Sequence, residues 1–395
     1  MNWVDILVVL LAVLAAISGA RQGFVIALPA FVGVLLGAIG GIRLAPLLIE
    51  YFDHPAAKVA FAVACVVLLV ALGETIGVYV GRKLKRKITS RRIDGVDSVF
   101  GALVQGFVVF LVAWLIALPL TSATGLPGLV SAVKGSTVLG GVDRVMPPSA
   151  QQLPGELGAL LDASGFPAAI DPFSRTPITQ VQPPDPALQN SATVQRVRSS
   201  VLKVHGRAPA CSRSLEGSSV VVSPQRVMTN AHVVAGTTDV TVEVNGSDLS
   251  AHVVHFDPDA DIAVLAVPGL TASPLPLAGR EAVAGDDAIV LGYPLDGPYT
   301  ASPARVRQRI RLQGPNIYGS GSVPRDVYTV RALVRSGNSG GPMVDPDGDV
   351  TGLVFGAATD DPETGFVLTT REIGDEVRAA PRMATEVNTG PCTTE

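Results

Sequence analysis

Four long apolar runs fill the first third of the chain, at about Trp3–Ala20, Phe24–Ile49, Ala56–Gly81 and Val99–Thr121. Crossing the hydrocarbon core takes about 20 apolar residues as a helix, and each run is near that length or longer. Leu, Val and Ala dominate. None of the four carries the polar stripe that a soluble bundle turns to water. Residues 1–121 therefore read as a four-span transmembrane module. The first run is not expected to be a signal peptide, because MNWVD lacks a basic start and three more spans follow.

Charge sets the orientation. The loop between runs three and four holds Arg82, Lys83, Lys85, Arg86, Lys87, Arg91 and Arg92, and the first loop holds Arg21. Short basic loops stay cytoplasmic. The second loop, with Glu50, Asp53 and His54, then lies outside. Both termini follow it, so everything after residue 121 is expected to be extracytoplasmic, with lipid the only partner of the spans. A net charge of −4 argues against a nucleic-acid partner.

Within the spans two features stand out. Gly33, Gly37 and Gly41 form a small-xxx-small row suited to close helix contact in lipid. Glu74 is a carboxylate inside a span, placed to reach toward the basic loop. Such groups are costly and often functional. The stretch DILVVLLAVLAAISGARQGF, residues 5–24, followed by the glycine-rich second span, resembles the colicin V production protein (CvpA) family. That resemblance covers about residues 1–120 and implies a four-helix membrane module without chemistry.

Residues 122–193 are rich in Pro, Ser, Gly and Ala, as in SRTPITQVQPPDPALQNSA. They read as an extended spacer with short helices such as Leu153–Leu161. From residue 194 the pattern changes to short Val-rich strands separated by Gly, Pro, Asp and Asn. Some ten to twelve strands over 194–395 predict an all-β domain, either two barrels or a sandwich. DPDGD at 345–349 marks a turn, and a helix is expected over Thr370–Ala379.

This outer region contains a set of groups suited to serine acyl chemistry. Such chemistry needs a nucleophile, a base, a group that orients the base, and donors for the oxyanion. RSGNSGGP, residues 335–342, offers Ser339 in a glycine turn, with the N–H groups of Gly337 and Ser339 as donors. His232, in MTNAHVV, stands at a strand end where a barrel rim would be. His205, His252 and His255 read as ordinary strand residues. Asp261 opens DIAVLAV ahead of a buried strand and is better placed than Asp257 or Asp259 to orient the histidine. This set calls for no metal and no cofactor.

TNAHVV, DIAVL and GNSGGP, in that order, resemble the chymotrypsin-like serine peptidases, in particular the HtrA branch, over about 195–380. The resemblance implies two six-stranded barrels with His232 as base, Asp261 as orienter, Ser339 as nucleophile, and Gly337 and Ser339 as the oxyanion hole. Only 56 residues follow Ser339, too few for the PDZ domain of that branch. Four spans, a spacer and a terminal protease instead resemble the membrane-anchored periplasmic proteases of the mycobacterial acid-resistance (MarP) type. That family implies an endopeptidase working on envelope proteins, possible peptidoglycan hydrolases among them, under envelope stress.

Cys65 lies mid-span, whereas Cys211 and Cys392 lie in the outer region. The latter two are either a disulfide or free thiols. An oxidising compartment favours the bond, and the family resemblance implies it too. The substrate pocket is expected at Leu333, Val334, Gly352 and Val354. Leu333, six residues before Ser339, is not acidic, so an apolar or small residue is expected there rather than Arg or Lys. Self-cleavage in the exposed spacer 122–193 is expected too. Two other classes stand against a protease: a catalytically silent protease fold that senses or binds, and a transporter with an outer cap, for which only Glu74 speaks.

Overall fold

The computed structural model describes residues 2–49, 55–86, 94–120, 127–146, 175–211 and 213–393. Glu50, Asp53, His54, Lys87, Arg91, Arg92 and the helix expected at Leu153–Leu161 lie outside them. The chain divides into two compact units.

The first unit contains helices α1 (Trp3–Gln22), α2 (Phe24–Ile49), α3 (Pro55–Lys85) and α4 (Asp94–Leu120). All four are long and apolar enough to cross a membrane. Ile6, Leu10, Leu14 and Ile17 of α1 and Leu68, Leu72 and Ile76 of α3 are exposed. An apolar face of that extent suits lipid and not water. Close packing of α2 on α3 runs through the expected glycine row. A Cβ on Gly33 would collide with the backbone of Gly73, and one on Gly37 with that of Leu69. Glycine thus lets the two backbones touch. Among the described residues, Glu74 bonds no basic side chain of the loop. Its Oε1 accepts from Gln105 Nε2 of α4 at 3.4 Å. The basic loop is used locally: Lys85 Nζ lies 3.3 Å from Asp97 and donates to the Gln22 carbonyl at 2.6 Å.

Two further helices, α5 (Pro127–Lys134) and α6 (Thr137–Val145), belong to this unit. Val133 and Leu139 join the apolar cluster of α1, α2 and α4. Buried Asp5 accepts from Ser136 Oγ at 2.6 Å and the Val138 N–H at 3.0 Å. Trp114 Nε1 donates to Asp143 at 2.9 Å. The spacer expected over 122–193 is therefore shorter. Its first part packs on the spans because those helices are amphipathic.

Its last part lies on the other unit. Thr176 donates its N–H to Asp360 at 3.0 Å, and Arg307 donates to the Thr179 carbonyl at 3.1 Å. Helix α7 (Ala192–Val197) then leads into the strands.

Twelve strands follow: β1 (Val201–Ala208), β2 (Arg213–Ser223), β3 (Arg226–Thr229), β4 (Asp239–Val244), β5 (Ser247–Asp257), β6 (Ile262–Ala266), β7 (Asp287–Gly292), β8 (Thr300–Gly314), β9 (Val323–Arg331), β10 (Pro342–Val344), β11 (Val350–Ala357) and β12 (Thr364–Thr369). They close into two antiparallel barrels, β1-β2-β3-β6-β5-β4 and β10-β11-β12-β9-β8-β7. Three apolar clusters hold them. One fills the first barrel around Val204, Val221 and Leu265, and one fills the second around Val290, Val330 and Val367. The third, with Val220, Met228, Leu291 and Phe366, takes side chains from both barrels. A strand buried on both faces sends alternate residues to two cores, which explains the unbroken apolar runs in β6 and β7. Helix α8 (Ala231–Val234) is one turn after β3, and α9 (Thr370–Ala379) closes the domain where the sequence placed it.

Candidate active site

His232 lies on the single turn of α8 and is 8 % exposed, while Asp261, just ahead of β6, is 1 % exposed. Strands β3 and β6 pair directly, Thr229 opposite Ala263, so the two side chains start from neighbouring strand ends. Asp261 adopts a left-handed backbone, φ 63°, which Asp tolerates better than most residues. Its Oδ1 accepts the His232 backbone N–H at 3.0 Å and its Oδ2 faces Nδ1 of the ring at 2.8 Å. Asn230 Nδ2 pins the Asp261 carbonyl at 2.8 Å. With Nδ1–H given to the carboxylate, Nε2 is left as the basic nitrogen.

The second barrel contributes Ser339, on the turn that enters β10. The hydrogen-bond accounting of this turn is asymmetric. The carbonyl of Ser336 accepts from the Leu295 N–H at 2.8 Å, that of Gly337 from Ser218 Oγ at 2.5 Å, that of Asn338 from the Gly341 N–H at 2.9 Å, and that of Ser339 from the Ser218 N–H at 2.7 Å. The N–H of Asn338 goes to Arg335 at 3.0 Å and that of Gly340 to Val354 at 2.8 Å. Among the described residues, the N–H groups of Gly337 and Ser339 have no acceptor. A trans peptide points its N–H opposite to its C=O. Tying the Ser336 and Asn338 carbonyls back thus turns both free donors the other way, as an oxyanion hole requires. Gly337 has φ 88°, and a Cβ there would lie 3.0 Å from the Leu295 nitrogen and closer still to the Tyr293 carbonyl.

The two halves meet at Gly217 of β2. A Cβ there would touch Val233, next to His232, and the Ser339 carbonyl oxygen. Ser339 is 2 % exposed. Its Oγ and His232 Nε2 are both buried without a hydrogen-bond partner. Buried polar atoms are rarely left so, and catalytic hydrogen bonds often tighten only when substrate binds.

The remaining sequence candidates are placed as follows. Leu333 is 52 % exposed, whereas Val334 and Val354 belong to the interior cluster of the second barrel. Gly352 sits in β11 between Thr369 and Met343, with the Leu368 carbonyl against its α-carbon. The Val334 and Val354 side chains thus fill the second barrel's interior, and only Leu333 of the four presents a side chain to solvent. His205 stands in β1, 3.5 Å from Asp296, and His252 is 3.6 Å from Glu386. Cys211 and Cys392 form a disulfide. It staples the tail beside Gly236, whose N–H donates to the Thr389 carbonyl at 3.1 Å, two residues after α8.

Sequence reasoning missed Ser218 and Arg325. Ser218 looks like a strand serine, and only the closure of the barrels shows it clamping the turn that carries Ser339. Arg325 of β9 is buried and donates to the carbonyls of Asp259 at 2.8 Å and Pro315 at 3.0 Å. Burial pushes its pKa down, against the pull of the Asp261 and Glu372 carboxylates.

A histidine–carboxylate pair on one barrel and a serine turn with two free donors on the other define a trypsin-like serine protease. Residues 217–353 match the family described as trypsin-like peptidase domain, and residues 4–147 match colicin V production protein. Serine protease Rv3671c of Mycobacterium tuberculosis is 48 % identical over 393 residues, which span 99 % of this chain and 98 % of that protein. Human serine protease HTRA4 is 31 % identical over 245 residues, 59 % of this chain and 50 % of that protein. The crystal structure of the Rv3671c protease in its active form is 52 % identical, with a TM-score of 0.54, and covers 57 % of this chain and 99 % of that one. The chain belongs to the Rv3671c family of serine proteases. It is a multi-pass membrane protein with a protease domain.

Proposed function

We propose that the protein is an extracytoplasmic endopeptidase in which Ser339 is the nucleophile, His232 the general base, Asp261 its orienter, and the Gly337 and Ser339 N–H groups the oxyanion hole. The observation that carries this reading is the turn in which the carbonyls of residues 336–339 are all engaged while these two N–H groups stay free. Ser339 Oγ attacks the scissile carbonyl carbon as His232 Nε2 takes its proton. The oxyanion is held by the two donors. His232 then returns the proton to the leaving amine, and water releases the acyl-enzyme by the same steps. A binding module gains nothing from two unspent donors beside a histidine–carboxylate pair. That argument favours catalysis over a silent sensor.

Basic residues Arg82, Lys83 and Lys85 close α3. By the positive-inside tendency they support a cytoplasmic location for that end and an extracytoplasmic one for the protease. The half-exposed Leu333 supports an apolar or small residue in the primary pocket. Envelope proteins, peptidoglycan hydrolases among them, are the substrates accessible there, and envelope stress is the setting in which their removal matters. Self-cleavage in the spacer 122–193 belongs to the same reading, because exposed Pro- and Ser-rich segments are preferred sites of nicking.

The test is covalent. The full chain in detergent should react with a fluorophosphonate probe, and Ser339→Ala should not. Labelling that survives Ser339→Ala would eliminate the assignment. Comparing envelope proteins from cells with active enzyme and with Ser339→Ala should reveal cleaved substrates, and a spacer cut only in the active chain. Identical protein patterns, with the spacer intact, would count against the substrate class and self-cleavage.

A further inference from the structure

The turn after β7 carries two consecutive non-glycine residues in the left-handed region, Leu295 at φ 56° and Asp296 at φ 54°. Such conformations are sparsely populated and persist only where surroundings impose them. Leu295 is 65 % exposed, so its side chain does not impose this one. The backbone does work elsewhere: the Leu295 N–H holds the Ser336 carbonyl at 2.8 Å. This bond orients the Ser336–Gly337 peptide, and with it the Gly337 donor. The turn also lies directly behind Gly337, where a Cβ would meet Tyr293, Pro294 and Leu295.

What holds the turn comes from the other barrel. Lys203 of β1 reaches Asp296 twice, donating to Oδ1 at 2.8 Å and to the backbone carbonyl at 3.0 Å. The second bond fixes the strained backbone itself. Lys203 is mostly covered, and its Nζ lies 5.5 Å from the centre of the Tyr293 ring. His205, two residues along the same strand face, is 3.5 Å from the same carboxylate oxygen. Lys203 holds the Asp296 carboxyl below its ordinary range, which agrees with the geometry.

We propose that Lys203 and Asp296 are positioning residues for the oxyanion hole. Their inter-barrel clasp keeps the Leu295–Asp296 turn in its left-handed form, so that the Leu295 N–H retains the Ser336 carbonyl and the Gly337 N–H stays turned toward the reacting carbonyl. Without the clasp the turn relaxes, the Ser336 carbonyl is released, and glycine at 337 lets the peptide rotate, carrying the donor away. This rests on Ser339 as nucleophile and on Gly337 as donor.

The experiment uses the full chain in detergent, a chromogenic peptide with an apolar residue before the scissile bond, and a fluorophosphonate probe. Asp296→Asn tolerates the left-handed backbone but removes the negative charge that pairs with the Lys203 ammonium. Lys203→Met keeps the stem and loses the charge. Each should lower kcat and the labelling rate by about 10–100-fold, less than the 10²–10³ of an absent donor, because the donor is redistributed and not removed. KM and the melting temperature should change little. The double variant should be no worse than either single one, since both break one link. Lys203→Arg should restore most of the rate. Full rates in both single variants would overturn the proposal, as would losses that multiply in the double variant or appear in KM alone. Should Lys203→Met fail to fold, Asp296→Asn and Lys203→Arg decide the matter by themselves. Ser339→Ala separates the two ideas: labelling that needs Ser339 but ignores Asp296 and Lys203 defeats this inference and leaves the mechanism standing.

Discussion

Replacing Gly337 by Ala tests the proposed oxyanion hole with one methyl group. At φ 88° the alanine would place its Cβ 3.0 Å from the Leu295 nitrogen and still closer to the Tyr293 carbonyl. Neither neighbour is a flexible side chain, so the backbone of residue 337 must move and its N–H leaves position. Losing one such donor typically costs about 2.7–4 kcal/mol of transition-state stabilisation, a 10²–10³ fall in kcat. Left-handed backbone adds about 1–2 kcal/mol of folding cost for an L-residue. The control is Gly246→Ala in the Asn245–Gly246 turn, at φ 79° with nothing within 4 Å of the new Cβ. It incurs the backbone cost without touching the site. Both variants should melt some degrees lower, while kcat on the peptide substrate falls only in Gly337→Ala and KM stays near its parent value. A folded Gly337→Ala enzyme with kcat within fivefold of the parent would refute the assignment of the donor. Equal losses in the two variants would mean that folding and not chemistry had been measured.

Asp261→Asn should keep the ring in place but favour the wrong tautomer, lowering kcat about 10⁴-fold; a loss under tenfold in steady-state assays would remove Asp261 from its role. Reducing Cys211–Cys392, which closes a sequence separation of 181 residues, should destabilise the protease by up to about 5 kcal/mol on a chain-entropy argument; an unchanged melting temperature after verified reduction contradicts it. Asp326, bonded by Arg309, has its carboxyl held below the ordinary 3.8. Its folded-state pKa is depressed, so its contribution is present above about 3.8 and lost as pH falls through the lower folded value. Asp326→Asn should therefore melt lower than the parent at neutral pH, with the gap closing below about pH 4; a gap constant across that range would show that the ion pair is not its source.

The strands were legible where they were long. Ten of the twelve follow Val-rich runs between Gly, Pro and Asp, and α9 lies where a closing helix is expected. β3 and β10 have four and three residues, too few for a period to show. The same holds for α8, a single turn. The spacer misled because proline content signals an extended chain but not what the chain lies on: Thr176 is held by Asp360 and α5 by the spans. Glu74 was visible as an anomaly, but its partner Gln105 was not. Nothing in either local pattern ties helices α3 and α4 together at that height.

Sequence alone determined the elements and the chemical candidates: four spans, a β-rich outer domain, and His232, Asp261 and Ser339 in motifs short enough to be read residue by residue. Hydropathy and strand periodicity are local properties, and so is the need for glycine in a tight turn. Only the tertiary structure decided which donors remain free at Gly337 and Ser339, that Leu295 holds the Ser336 carbonyl and Ser218 those of Gly337 and Ser339, and that Lys203 of one barrel bonds Asp296 in a left-handed turn of the other. Those contacts join residues as far apart in the chain as Ser218 and Ser339. They exist only once both barrels have closed and their shared apolar face has brought the strand ends together.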